Sequence, residues 1–127
     1  MSGNIYFVYI TTNPKRTTYY IGITNDLAVR LQQHLENCGD KKTFAGRYYC
    51  YKLVYFERFT NPTHAIEREK QVKGWRRDKK EALIKSLNPD FKFLNYIVEE
   101  VDVYLSIKND QRVRYAIVPS AALGMTQ

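Results

Sequence analysis

Four side chains within the first 34 residues have the types and spacing to do chemistry on a phosphate: Tyr9, Tyr20, Arg30 and His34. Together they offer two phenols, a fixed cation and an imidazole. None is a strong nucleophile, so a water nucleophile is implied. A phenol can pass a proton if an adjacent cation or metal-bound species lowers its pKa from the usual ~10. The set lacks a carboxylate for a divalent metal, and the segment AIEREKQVKGWRRDKK supplies Glu67 and Glu69. From Arg68 to Lys80, seven Lys and Arg stand against two acids, enough to draw a phosphate backbone toward this stretch. Lys73, Arg76, Arg77, Lys79 and Lys80 are the expected phosphate contacts.

These residues must be held by a small number of elements. IYFVYIT (5–11) is a β-branched and aromatic run with apolar residues on both alternating faces, as in a strand covered on two sides. Asn13-Pro14 breaks the pattern and TTYYIGI (17–23) resumes it, so a hairpin is expected, with Gly22 where backbone must bend or another group pass closely. Asn25 or Asp26 can cap a helix to about Asn37, with Leu27, Leu31 and Leu35 as its buried stripe. Arg30 and His34, four apart, then project from one edge of that stripe. Residues 38–48 read as a basic loop and 51–58 as a third strand. Asn61-Pro62 opens a second helix that runs to about Trp75 with Gly74 as a stop or kink, and Asp78 can cap a third through Leu87, ended by Asn88-Pro89.

The expected fold class is therefore α/β (α+β): a small three-stranded antiparallel sheet flanked by helices. A chain of 127 residues, 44% hydrophobic, can bury one modest core. Residues 1–95 form the expected domain and carry 17 Lys and Arg against 9 Asp and Glu, whereas 96–127 carry 3 against 4. This C-terminal extension has alternating stretches at 101–107 and 113–118, read as a β-hairpin packed on the domain. The formal net charge of +7 favours a polyanionic partner such as nucleic acid. Cys38 and Cys50 lack CxxC spacing and read as reduced structural thiols; with His64 they give no zinc site. No signal peptide and no membrane-length apolar run is found, so a cytoplasmic protein without membrane contact is expected.

The combination of motifs resembles the GIY-YIG nuclease superfamily, specifically its small stand-alone bacterial members, related to the nuclease domain of the excision-repair incision subunit. FVY at 7–9 stands at the first tripeptide and YIG at 20–22 matches the second. TNDLAVRLQQH, FAGRYYCYKLVYFE and AIEREKQVKGW followed by an NP pair fall in the family's order. The resemblance spans residues 4 to about 95. Phe7-Val8 replace Gly-Ile, and Ile23 stands where some of these nucleases carry lysine, which leaves Arg30 and the metal more of the charge stabilisation.

By this resemblance Glu69, four after Ala65, is the metal-binding carboxylate for Mg²⁺ or Mn²⁺, and Glu67 a solvated helix residue. Tyr9 is implied as general base, directly or through a water. Tyr20 orients the nucleophile or phosphate, His34 is hydrogen-bonded to one of the tyrosines, and Arg30 binds phosphate oxygens. The implied activity is metal-dependent endonucleolytic hydrolysis of DNA, structure-specific or repair-related. Composition alone suits RNA equally well. The alternatives are a non-catalytic nucleic-acid-binding module and a protein-interaction domain on the same fold. Taken singly, each tyrosine reads as a packing residue, Arg30 as a surface arginine, His34 as a satisfied core histidine and the basic run as a solvated helix face. Their joint presence favours the site.

Overall fold

The structure, a computed structural model, describes residues 5–98. Strand β1 (Tyr6–Thr12) is central, flanked antiparallel by β2 (Tyr19–Thr24) and β3 (Lys52–Phe59) in the order β2-β1-β3. The hairpin closes on Asn13, whose side-chain oxygen accepts from the backbone N–H of Thr17 (2.8 Å) and Thr18 (3.0 Å), the local bonding that makes Asn a turn former. Helices α1 (Leu27–Glu36), α2 (Phe44–Arg47), α3 (Pro62–Lys73) and α4 (Arg77–Leu87) complete the architecture.

The alternation of β1 divides the core in two. On one face Phe7, Tyr9, Leu53 and Phe56 pack with Leu27 and Leu31 of α1 and with Leu94 and Val98. On the other, Val8, Ile10, Ile21 and Val54 pack with Ala65 and Val72 of α3 and Ile84 of α4. Covering both faces explains why β1 is buried at every position from Phe7 to Thr12 rather than at alternate ones. It also separates α1 from α3 and α4, with β2 as the sheet edge between them.

Three expectations are corrected. Leu35 is 50% exposed; the buried side of α1 runs Leu27, Leu31, His34. With 3.6 residues per turn, a step of seven holds the face better than a step of eight. Residues 38–48 are not all loop, because Thr43 caps the short α2 by accepting from Gly46 N–H at 3.0 Å. Asp78 lies inside the first turn of α4; the capping position is Arg76, which makes no side-chain cap bond. The other caps stand as expected: Asp26 accepts from Val29 N–H (3.1 Å), Asn61 from Thr63 and His64, and Gly74 ends α3. Asn88 ends α4 and is a buried turn organiser. Its amide donates to the Val54 and Lys92 carbonyls and its oxygen accepts from Lys92 N–H, each at 2.9 Å. The stretches 101–107 and 113–118, read as a hairpin, lie outside the described residues.

Candidate active site

Tyr9 stands in the middle of the central strand opposite Gly22 and is fully buried. Its ring lies across the glycine: a Cβ at position 22 would sit 2.5 Å from Tyr9 Cζ, far inside van der Waals contact. Glycine is required here by the close approach of an aromatic ring. The YIG motif thus makes room for the first motif's tyrosine.

Helix α1 delivers the two partners of that phenol. Arg30 Nε–H donates to Tyr9 Oη at 3.2 Å, and Tyr9 Oη lies 2.8 Å from His34 Nε2. Since arginine can only donate, the Tyr9 oxygen accepts from it and its O–H is left to donate to Nε2 of a neutral His34. Gln33 holds Arg30 from the other side, accepting from Nη1 at 2.9 Å. Tyr20, half-buried on β2, stands edge-on to His34 with ring centroids 5.2 Å apart and lies 6.2 Å from the Tyr9 ring. The structure therefore brings Tyr9, Tyr20, Arg30 and His34 into one cluster.

The electrostatics of the cluster depart from one expectation. Burial, then the charge of Tyr20, holds the Tyr9 phenol above the usual range, although Arg30 pulls the other way. Arg30 does not lower the phenol's pKa overall, because desolvation of a buried phenolate outweighs one cation. Burial and, secondarily, the Arg30 charge push His34 down from 6.5 to about 4. At neutral pH the resting pair is a neutral phenol donating to a neutral imidazole.

The low His34 pKa has a consequence for stability. Native His34 stays neutral down to about pH 4, whereas in the unfolded chain it takes up a proton near 6.5. Between these values the unfolded chain binds more protons, so stability falls as the pH drops through this window and the contribution levels off below it. At about 1.4 kcal/mol per pH unit the loss amounts to about 3 kcal/mol. Denaturant unfolding at about pH 7 and about pH 4.5 should show a pH-dependent loss smaller by about 2–3 kcal/mol in His34→Gln than in wild type. Equal losses in the two proteins would mean that His34 is not held neutral.

Glu69 lies on α3, on the face of the sheet opposite α1. It is four residues after buried Ala65 and three before buried Val72, so it lies toward the packed side of α3, with its side chain 13% exposed. Lys73 pairs with it at 2.6 Å. That hydrogen bond is the main cause of the raised Lys73 pKa, and the charge of Tyr20 adds to it, so this end of α3 lies in the electrostatic reach of Tyr20. Glu69 makes no hydrogen bond to Tyr9, Arg30 or His34. Glu67 is exposed. Among the described residues no group of three or more His, Cys, Asp and Glu could enclose a metal. One half-shielded carboxylate fits a hydrated hard cation shared with substrate phosphate oxygens, and does not fit a protein-enclosed site.

The remaining predicted contacts are not equivalent. Arg76 is exposed and loosely paired with Asp78 at 3.6 Å. Arg77 pairs with Glu81 (3.2 Å) and lies over the Tyr19 ring, and Lys79 lies over Trp75. These residues and Lys80 sit at the start of α4, while Lys73 is engaged by Glu69. On β2, Tyr19 packs on the α4 side of the sheet and Tyr20 on the α1 side. The sequence reading missed Gln33, which orients Arg30, and Phe44, which stacks on Tyr20 at 6.4 Å. A Gln three residues after an Arg on a helix was the available signal for the first. The second had none, because α2 was not foreseen.

A sheet carrying a buried tyrosine over a glycine of its neighbouring strand, with an Arg and a His one helical turn apart on the following helix, matches a known catalytic domain. The chain belongs to the GIY-YIG family, a nuclease superfamily, since residues 5–82 match the model described as the GIY-YIG catalytic domain. It is 42% identical over 80 residues to a UPF0213 protein of Clostridium perfringens, covering 63% of this chain and 83% of that one. It is 38% identical over 68 residues to a UPF0213 protein of Bacillus pumilus, covering 54% and 67%. The solution NMR structure of a UPF0213 protein from Bacillus halodurans is similar at 30% identity and a TM-score of 0.45, over 68% of this chain and 89% of that one. No helix among the described residues is long and apolar enough to cross a membrane.

Proposed function

We propose that the protein is a cytoplasmic endonuclease that hydrolyses phosphodiester bonds in DNA with Mg²⁺ or Mn²⁺. The observation that carries this reading is the Tyr9 phenol held between Arg30 (3.2 Å) and His34 (2.8 Å). A neutral imidazole behind a neutral phenol gives a proton somewhere to go. As Tyr9 Oη takes a proton from the attacking water, its own O–H proton passes to His34 Nε2, leaving a neutral phenol and an imidazolium. The phenol need not ionise in advance, so its raised pKa is no obstacle.

Tyr9 is enclosed and Tyr20 stands outside it, so the proton reaches Tyr9 through an intervening water or the Tyr20 hydroxyl. Arg30 serves both as clamp on the Tyr9 oxygen and as the charge that receives a phosphate oxygen. Glu69 would hold the metal after release from Lys73, and the freed Lys73 ammonium would then face the phosphate. The metal supplies Lewis-acid stabilisation of the leaving oxygen. The basics at the start of α4 contact backbone phosphates without reading bases.

The test is incubation of purified protein with labelled branched, flapped, nicked, duplex and single-stranded DNA, and with RNA counterparts, in Mg²⁺ or Mn²⁺ and in chelator. Cleavage of DNA with either metal and none in chelator is expected. Binding without cleavage of any substrate would leave a nucleic-acid-binding module in its place.

A further inference from the structure

We infer that Phe44 and Tyr48, continuous with Tyr20, form a platform on which unpaired bases of a single-stranded segment stack beside the scissile phosphate. This inference rests on the nuclease reading above and narrows its substrate to nucleic acid with unpaired bases at the cut. Three rings run outward from the site. Tyr20 stands edge-on to His34, Phe44 lies nearly parallel to Tyr20 (6.4 Å, 28°), and Tyr48 lies against Phe44 at 4.8 Å. Phe44 is 50% and Tyr48 43% exposed, although α2 buries Ala45 and Gly46. Neither ring belongs to the core clusters, so the short helix leaves both rings partly in water while its small residues dock.

The support beneath the rings is rigid. A Cβ at Gly46 would come within 2.8 Å of Asn37 O, so α2 is pressed against the end of α1 with no room for a side chain. Thr43 caps α2, and Arg47 Nη2 donates to Lys41 O at 3.2 Å, tying the loop before the helix to its end. Lys41, Lys42 and Arg47, each within three residues of Phe44 in the chain, are exposed. An aromatic surface with a basic rim matches a single strand, whose bases present π-faces and whose phosphates are anionic. A duplex keeps its base faces stacked inside and offers this surface only its edges and backbone. An apolar peptide would use the rings but not the lysines.

The test is fluorescence anisotropy in chelator, so that binding is read without cleavage. The probes are a labelled single-stranded DNA oligonucleotide without self-complementarity, its RNA counterpart, and a blunt DNA hairpin whose stem pairs that sequence with its complement through a non-nucleotide linker. Phe44→Ala and Tyr48→Ala should each weaken single-strand binding by about 5- to 150-fold, the range for losing one base–aromatic stack. Hairpin affinity should change far less. Phe44→Trp should retain single-strand affinity, which separates a stacking role from a structural one. A 2-aminopurine in the oligonucleotide should be quenched by wild type and by Phe44→Trp and not by Phe44→Ala. Unchanged single-strand affinity in both alanine variants, or equal losses on strand and hairpin, overturns the platform. Cleavage that persists in metal under either result leaves the nuclease reading standing, and stacking without any metal-dependent cleavage sinks that reading alone.

Discussion

Replacing Tyr9 with phenylalanine is expected to lower the single-turnover cleavage rate by about 10²–10⁴-fold, the usual worth of general acid–base catalysis. Only a hydroxyl is lost, so the ring still fills the space over Gly22. The cost to folding is the unpartnered His34 Nε2 and Arg30 Nε–H, about 1–3 kcal/mol for a buried group left without its bond. The variant should therefore remain folded in dilute buffer with a lower denaturation midpoint. Arg30→Ala should cost as much in rate, since it removes both the clamp and the charge. The readout that separates proton transfer from packing is the pH profile. In wild type the acid limb should follow His34 near pH 4, and in Tyr9→Phe that limb should vanish with the relay. Wild-type turnover by a correctly folded Tyr9→Phe protein would move the proton-transfer role to Tyr20.

Much of this site could be read from residue order because its geometry is local. Tyr9 and Tyr20 are placed by a hairpin, and Arg30 and His34 by a helix that begins five residues after Gly22, with Asp26 as its cap. Period-2 and period-3.6 patterns fix such relations before any tertiary contact is known. Gly22 was legible as a close approach, though not as a seat for the Tyr9 ring, because that depends on strand register. What failed concerned the phase of a helix face and the depth of burial. Leu35 is apolar yet exposed, since His34 takes the third buried position on α1. The direction of the Tyr9 shift was missed because a sequence displays the charge of Arg30 and not the depth of the phenol. Lys73 reads as one more phosphate contact in a basic run, although its i,i+4 spacing from Glu69 on one helix already pairs the two.

That pairing shapes the second large effect. Glu69→Gln should reduce metal-dependent cleavage by at least about 10²-fold. Metal stabilisation of charge in the transition state is worth several kcal/mol, and each ~1.4 kcal/mol is tenfold in rate. The amide keeps the size of the side chain but gives up the charge a hard cation needs. Folding should change little, because the lost ion pair has an exposed lysine and such pairs contribute only ~0–1 kcal/mol. Binding of DNA in chelator should be kept or slightly strengthened, since Lys73 loses the carboxylate that neutralises it and adds one free cation at the end of α3. The dependence of affinity on salt should then steepen by up to ~0.9 in log–log slope for that one added phosphate contact. Glu67→Gln, two residues away on the exposed side of the same helix, is the control and should match wild type in both cleavage and slope. If the two glutamine variants behave alike, or if Glu69→Gln cuts at the wild-type rate in metal, the carboxylate has been assigned to the wrong residue. If cleavage is lost together with binding, the role of Glu69 is to position α3 against β2 and not to hold a cation.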